Sequence, residues 1–173
     1  MQLQQYIYKI FYWIFPTTCL HCHKRAERFE RLLCPECLNC AITDGGKWRG
    51  KVWIVFDPES PLQSLWKFGK EKKFVKPLRA LAAMCAAHWS LSNRSLPRKI
   101  FWVASKPHIF SKFCAAEQFA LELARFFQVE CYHGGAQDFE ENTLVVFEKT
   151  TRLMHVEMEE LKLQKHWLLQ LPS

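Results

Sequence analysis

Hydrophobic positions along the chain fall into blocks with different periods. The first block, Tyr6–Phe15, is apolar apart from Lys9 and is stopped by Pro16. It reads as a leading helix, too short to cross a membrane, which takes about 20 residues. It has no basic start and no small-residue cleavage site, so it does not read as a secretory signal, and the expectation is a cytoplasmic protein. Lys9 is the only cation it offers to anionic lipid, so packing on its own domain is favoured over a membrane surface. Further on, KVWIVF (51–56) is β-branched and aromatic, reads as a strand, and ends at Asp57-Pro58. Residues 61–89 then carry helical spacing, with an interruption near Gly69 and with Pro77 either kinking the helix or opening it. KIFWVA (99–104), QVECY (128–132) and NTLVVF (142–147) are further strands. Ala116, Phe119, Leu123, Phe126 and Phe127 mark a helix over Ala115–Phe127, and Leu153–Leu169 reads as a last helix. Strands alternating with helices predict an α/β fold, a parallel sheet flanked by helices. Ligands of such sheets collect at the carboxyl ends of strands, which singles out Ser105–Lys112 and Glu148–Arg152.

Composition narrows the class. With 173 residues, 49% of them hydrophobic, the chain can bury one core, or a core with a small satellite. That excludes a disordered tail protein and a multidomain enzyme. The formal charge of +7 is unevenly spread. Lys67, Lys70, Lys72, Lys73, Lys76 and Arg79 stand against Glu71 alone, whereas Asp138, Glu140, Glu141, Glu148, Glu157, Glu159 and Glu160 make the later part acidic. An anionic partner is therefore expected to meet the middle of the chain.

Of eight cysteines, Cys19, Cys22, Cys34, Cys37 and Cys40 crowd near the N-terminus, while Cys85, Cys114 and Cys131 stand singly. Two Cys-x2-Cys pairs, Cys19/Cys22 and Cys34/Cys37, match two knuckle turns that together supply the four sulfurs of a structural zinc site. A closed four-cysteine shell leaves no open coordination position, so its role is to hold the fold and not to do chemistry. Cys40, His21 and His23 remain spare donors that can replace one cysteine, with His21 expected to point away into solvent. Cys85 falls on an apolar face with Phe74, Leu78, Leu81 and Trp89 and reads as a small buried hydrophobe. The division expected is a helix and zinc-knuckle module over 1–45 and an α/β domain over 46–173.

Several segments resemble one family in order and spacing. FPTTCLHCHK followed by LCPECLNC looks like the zinc-knuckle start of ComF-like competence proteins, whose body is a type I phosphoribosyltransferase domain. Leu62, Lys67, Phe68 and Gly69 resemble that family's Leu-x-x-x-Lys-Phe/Tyr-Gly element. IFWVASKP and SKFCAAEQFALELARFF are similar to its strand, turn and following helix start, and LVVFEKTTRLMHVEMEEL lies where its diphosphate-sugar signature stands. The resemblance implies a type I phosphoribosyltransferase-like fold and, if the site is active, magnesium and phosphoribosyl diphosphate as cofactor and substrate. Glu148, Thr150, Thr151 and Arg152 would then hold the diphosphate-sugar, with Lys106 near the pyrophosphate.

The catalytic pieces depart from the family pattern. Aligning Thr150 and Thr151 with the family's threonines puts Val146 and Phe147 where paired acids belong and Arg152 where a glycine belongs. Ser111, Lys112, Phe113, Cys114 and Ala115 stand for Arg-Gly-Phe-Asn-Gln, and of these only Phe113 is kept. The stretch between Tyr132 and Thr143 is also shorter than is usual in the family. The expectation is a degenerate site and a protein acting through binding in DNA uptake or a competence-type process. The alternative is an active phosphoribosyltransferase. For the binding role, Lys67, Lys70, Lys72, Lys73 and Lys76 are the candidate contacts to single-stranded DNA or to DNA-uptake machinery, with Trp66, Phe68 and Phe74 interleaved. Helical spacing turns those aromatics inward, which leaves the lysines to act alone.

Overall fold

A computed structural model describes residues 18–24, 32–43, 47–49, 52–54, 59–103, 113–133, 142–148 and 167–171. The leading segment, Lys106, Thr150, Thr151, Arg152 and most of the expected last helix lie outside the described residues.

The elements in chain order are α1 (Pro35–Thr43), β1 (Lys47–Arg49), β2 (Val52–Ile54), α2 (Pro61–Glu71), α3 (Val75–Leu91), β3 (Lys99–Val103), α4 (Ala115–Phe127), β4 (Glu130–His133), β5 (Thr143–Glu148) and β6 (Trp167–Leu171). Six strands form one sheet in the order β1-β2-β6-β5-β3-β4. All neighbours are parallel except β1 and β2, which form an antiparallel pair at one edge. The fold is α/β as expected, with an antiparallel edge strand that the sequence pattern did not show. Thr143 to Phe147 are buried without alternation, the pattern of a central strand covered on both faces.

Two expectations are corrected. The helix over Leu153–Leu169 does not run through its end, because Trp167–Leu171 is a strand lying between β2 and β5, with Leu169 and Leu171 both fully buried. Two buried leucines at i, i+2 are the strand period. The break expected near Gly69 in the 61–89 helix falls at residues 72–74, and Phe74 does not join the buried face. Lys73 takes the left-handed conformation there (φ 53°), and Phe74 precedes α3 as its N-cap, 47% exposed instead of buried beside Leu78. Pro77 therefore sits in the first turn of α3, where its missing N–H has no intrahelical partner to lose.

Ser60 caps α2, its Oγ accepting from the Leu62 amide, and Pro61 occupies the first turn. Gly69 serves packing: a Cβ there would lie 2.6 Å from Leu78 Cδ2, so a side chain at this position fits only if the buried Leu78 shifts. Leu62, Leu65 and Trp66 of α2, Leu78, Leu81, Cys85 and Trp89 of α3, and Phe119 and Leu123 of α4 are all essentially buried. Trp66 meets Phe119 edge-on with ring centroids 6.3 Å apart. α4, which packs on β3, β4 and β5, ends where Gln128 turns left-handed (φ 58°) and its amide returns to the Ala124 and Arg125 carbonyls. One ion network ties the helix layer. Glu122, its side chain 6% exposed, accepts two hydrogen bonds from Arg79 (2.9 and 3.0 Å) and one from Arg125 (2.7 Å).

Candidate metal centre and the carboxyl edge of the sheet

Cys19, Cys22, Cys34 and Cys37 gather their sulfurs within 4.8 Å of one another, from positions up to 18 residues apart in the chain. The first pair sits on a tight turn. The His23 amide donates to the Cys19 carbonyl (3.1 Å), the Cys19 amide to the Lys24 carbonyl (2.8 Å), and His23 adopts φ 59° to close it. The second pair is not a free knuckle but the start of a helix. Pro35 opens α1 directly after Cys34, the Leu38 amide donates to the Cys34 carbonyl (2.9 Å), and Cys37 lies in the first turn. Proline is pre-set for that first position, and a helix start favours negative charge beside it.

The distances distinguish metal from disulfide. Cys22 Sγ and Cys34 Sγ are 3.6 Å apart, and all eight cysteines are free thiols. A disulfide needs about 2.05 Å, whereas sulfurs placed tetrahedrally about 2.3 Å from a zinc ion stand about 3.8 Å apart. The environment also favours thiolate at Cys19. Burial opposes ionisation, but amide groups of Cys22, Cys34 and His21 directed at its sulfur outweigh it and bring its pKa down to about 6. Burial, with the neighbouring sulfurs of Cys34, Cys22 and Cys19, pushes the Cys37 thiol up, so a metal ion has to displace its proton. The residues fit a four-thiolate structural site consistent with zinc.

The spare donors separate from this group. His21 faces away from the cluster, yet it is partly buried and not in solvent: its Nδ1 lies 3.1 Å from Ser64 Oγ on α2. His23 is exposed, and Cys40, almost one helical turn beyond Cys37 on α1, is not in the group. The module is pinned a second time where His88 Nε2 of α3 meets the Ala41 carbonyl at 3.1 Å. Cys19, Leu33, Cys34, Cys37 and Ala41 belong to the same buried cluster as the helix layer. Sequence reasoning missed both histidine contacts, because each joins residues more than 40 positions apart. Cys85 and Cys131 are poor nucleophiles. Cys85 is fully buried and its thiol is pushed up by desolvation, and desolvation followed by the Glu117 charge raises Cys131 to about 11.

At the other end of the body, β5 pairs with β3 although β4 separates them in sequence, with Phe147 opposite Val103. β4 lies on one side of β3 and β5 with β6 on the other, so the winding reverses direction between β3 and β5. The carboxyl ends of this pair flank such a reversal, where crevices open in parallel sheets. The chain leaves these ends toward Ser105–Lys112 and Lys149–Arg152. Val146 is 0% exposed and Phe147 4%, so the last residues of β5 before Glu148 are apolar and buried in the sheet. Cys114 is the N-cap of α4 and makes no side-chain cap.

The basic stretch divides. Lys67, Lys72, Lys73 and Lys76 are exposed, and Lys70 lies 5.9 Å from the Trp66 ring centroid. Lys67 also stands 4.0 Å from Glu71. Arg79 is committed to buried Glu122. Trp66 is buried and presents no face to a base, whereas Phe74 is open beside Lys73.

No protein-family model, curated protein or solved structure matches this chain. Among the described residues, no helix is long and apolar enough to cross a membrane.

Proposed function

We propose that this chain is a short, divergent ComF-like protein with a type I phosphoribosyltransferase-like body, a structural zinc module and a degenerate catalytic turn, acting through binding in a DNA-uptake or competence-type process. The observation that carries the reading is the combination at the β3–β5 pair. The winding reversal that makes a crevice is there, while Val146 and Phe147 are buried apolar residues. Without paired carboxylates the ribose hydroxyls and magnesium of a diphosphate-sugar lose their anchors, so turnover fails while the scaffold persists.

The partner is read from the exposed lysines. Lys67, Lys72, Lys73 and Lys76, with half-buried Lys70 beside them, can track a phosphate backbone, and exposed Phe74 can stack a base. Fluorescence anisotropy with a labelled single-stranded oligonucleotide tests this. If all five lysines contact phosphates, log K falls with log salt with a slope of about −3.5, and Lys72→Glu with Lys73→Glu weakens binding further. No binding at low salt removes the nucleic-acid reading.

The second reading, an active phosphoribosyltransferase, is supported by the Thr150-Thr151 pair that follows β5 in the sequence, because the backbone amides of a turn after a strand can hold a 5-phosphate. Calorimetry with phosphoribosyl diphosphate and magnesium separates the two. Heat that disappears in Thr151→Ala supports the enzyme, and absence of heat at high ligand concentration removes it.

A further inference from the structure

Of the four sulfurs gathered in the cysteine module, those of Cys19, Cys34 and Cys37 belong to buried residues, whereas Cys22 is only half-buried. Cys34 Sγ stands 3.6 Å from Cys22 Sγ. Oxidation of a thiolate by peroxide follows its exposure, and it stops at a disulfide where a second sulfur waits beside the first. The two residues have these two properties between them.

Links that use no metal hold the same two halves together. The Leu20 amide donates to the Leu32 carbonyl at 3.0 Å, and Lys24 Nζ donates to Glu36 Oε2 at 2.9 Å. Leu20 with Leu32, Cys22 with Cys34 and Lys24 with Glu36 are successive steps of one pairing, each partner standing 12 residues further along the chain. The sulfur pair is therefore the middle rung between two that already exist. The ion pair is exposed and contributes direction more than energy, while the backbone bond fixes the approach. Bringing the sulfurs to the 2.05 Å of a disulfide asks for a movement of about 1.5 Å inside that frame. Cys40 is a poorer partner for Cys37. Side chains three residues apart on a helix have Cβ atoms about 5–6 Å apart, against about 3.8 Å in a disulfide, so closing that pair would distort α1.

We propose that Cys22 and Cys34 form a peroxide-responsive switch, in which a disulfide between them replaces the metal as the link between the two halves of the module. The Cys22 thiolate attacks one peroxide oxygen, so that an S–O bond forms, the O–O bond breaks and hydroxide leaves. The Cys34 thiolate then attacks the Cys22 sulfenic sulfur, forming the S–S bond and expelling the second hydroxide. Both electrons come from the two thiolates, and two solvent protons turn the hydroxides into water. Cys19 and Cys37 remain as two ligands, too few to retain zinc. The module stays docked, because His21 on Ser64 and His88 on the Ala41 carbonyl hold it to α2 and α3 without the metal. The switch rests on the four-thiolate zinc reading and is independent of any diphosphate-sugar or DNA binding.

The test uses the full-length protein, with its metal content measured first. About one zinc per chain establishes the four-thiolate reading on its own, and a protein that takes up no zinc fails that reading while the sulfur pairing is still decided by mapping. Hydrogen peroxide is then added with a chromophoric chelator present. One equivalent should free about one zinc per chain. After the remaining thiols are blocked with N-ethylmaleimide, tandem mass spectrometry should find Cys22 joined to Cys34 within the monomer. Circular dichroism should stay unchanged, and dithiothreitol with zinc should restore the starting state. Cys40→Ser should release zinc and form the same disulfide as the native chain. Cys22→His keeps four ligands but removes the half-buried sulfur, and should slow peroxide-driven zinc release about tenfold. Should that variant hold no zinc, the mapped pairing in the native chain and in Cys40→Ser decides. Zinc retained in excess peroxide, a map dominated by Cys19–Cys22 or Cys37–Cys40, disulfides formed only between two copies, or release that stops in Cys40→Ser would each overturn the proposal.

Discussion

The cysteine module and the carboxyl edge of the sheet are both places where the sequence offers candidate chemistry, and they behave differently. In the module, every residue named from spacing ends at one point, because each Cys-x2-Cys pair makes its own geometry from a local turn or a helix start and only two such units must meet. At the sheet edge, the strands arrive side by side as the topology requires, but Val146 and Phe147 occupy the positions of the expected acids and point into the interior. Local spacing can be checked on the sequence letter by letter, whereas an edge site is assembled from strands distant in sequence, and the strand order can be present whatever residues stand at its ends. The comparison predicts that the module fails by losing one atom, and that the body weakens only in proportion to its packing.

The sharpest break is Cys37→Ser. Three thiolates and a hydroxyl hold zinc poorly, so metal content should drop from about one per chain towards zero, with a stability loss of several kcal/mol, read by elemental analysis and thermal unfolding. Proton competition gives the same site a pH signature. Amide groups directed at the apo Cys19 thiol bring its pKa down to about 6 against its burial, so above that pH it binds metal without releasing a proton, and below it binding has one further proton to displace. Zinc affinity measured against a chromophoric chelator should fall as pH is lowered and fall more steeply below about pH 6. A flat profile contradicts a thiolate site.

In the body, Gly69→Ala is expected to be the costliest small change. The added methyl meets Leu78 side-chain atoms at 2.6 and 2.8 Å, and separating α2 from α3 should cost about 1–3 kcal/mol with metal content unchanged. Arg79→Ala should cost somewhat less, about 1–2 kcal/mol, because Arg125 still pairs with the buried Glu122 carboxylate. The Arg79 hydrogen bond is the main cause that holds the Glu122 carboxyl below its usual value, against the burial that would raise it. A depressed carboxylate stabilises the fold above the ordinary carboxylate range, and that contribution is lost as pH falls through the lowered pKa. The Arg79→Ala penalty in denaturant titrations should therefore be full at neutral pH and shrink in acid.

How much was legible follows from the same contrast. Ala115–Phe127 could be read as a helix because its own apolar spacing matches the face it buries, and the interiors of β3 and β5 because apolar runs suit strands covered on both sides. β1 has three residues, Lys-Trp-Arg, and no pattern; it is a strand because Lys47, Trp48 and Arg49 pair with Ile54, Trp53 and Val52. β6 carries leucines compatible with either period, and its place between β2 and β5 decides for strand. Gly69 looked like a helix breaker, but close packing and not turn formation uses it. Phe74 fits the helical period of Leu78 and Leu81, yet the left-handed Lys73 starts a new helix just after it and leaves its ring outside. Each miss depends on a partner remote in sequence or on one backbone dihedral.

The smallest predicted effect concerns the seam between the two regions. His21 stands between Cys19 and Cys22 in sequence and is expected to point away from them, and its ring reaches out to Ser64 of α2. Ser64→Ala removes that partner and leaves a partly buried imidazole without it, which should cost about 0.5–1.5 kcal/mol. If the contact only stabilises the body, thermal unfolding shifts while the rate of zinc loss to a chelator stays the same. If it docks the module, the zinc-loss rate also rises, because the turn carrying Cys19 and Cys22 opens more often. The second outcome is expected, since His21 lies within that turn and its own backbone amide is directed at Cys19 Sγ. A rate unchanged in Ser64→Ala but raised on removing the His88 imidazole, which meets the Ala41 carbonyl on α1, would move the controlling contact to the second cysteine pair.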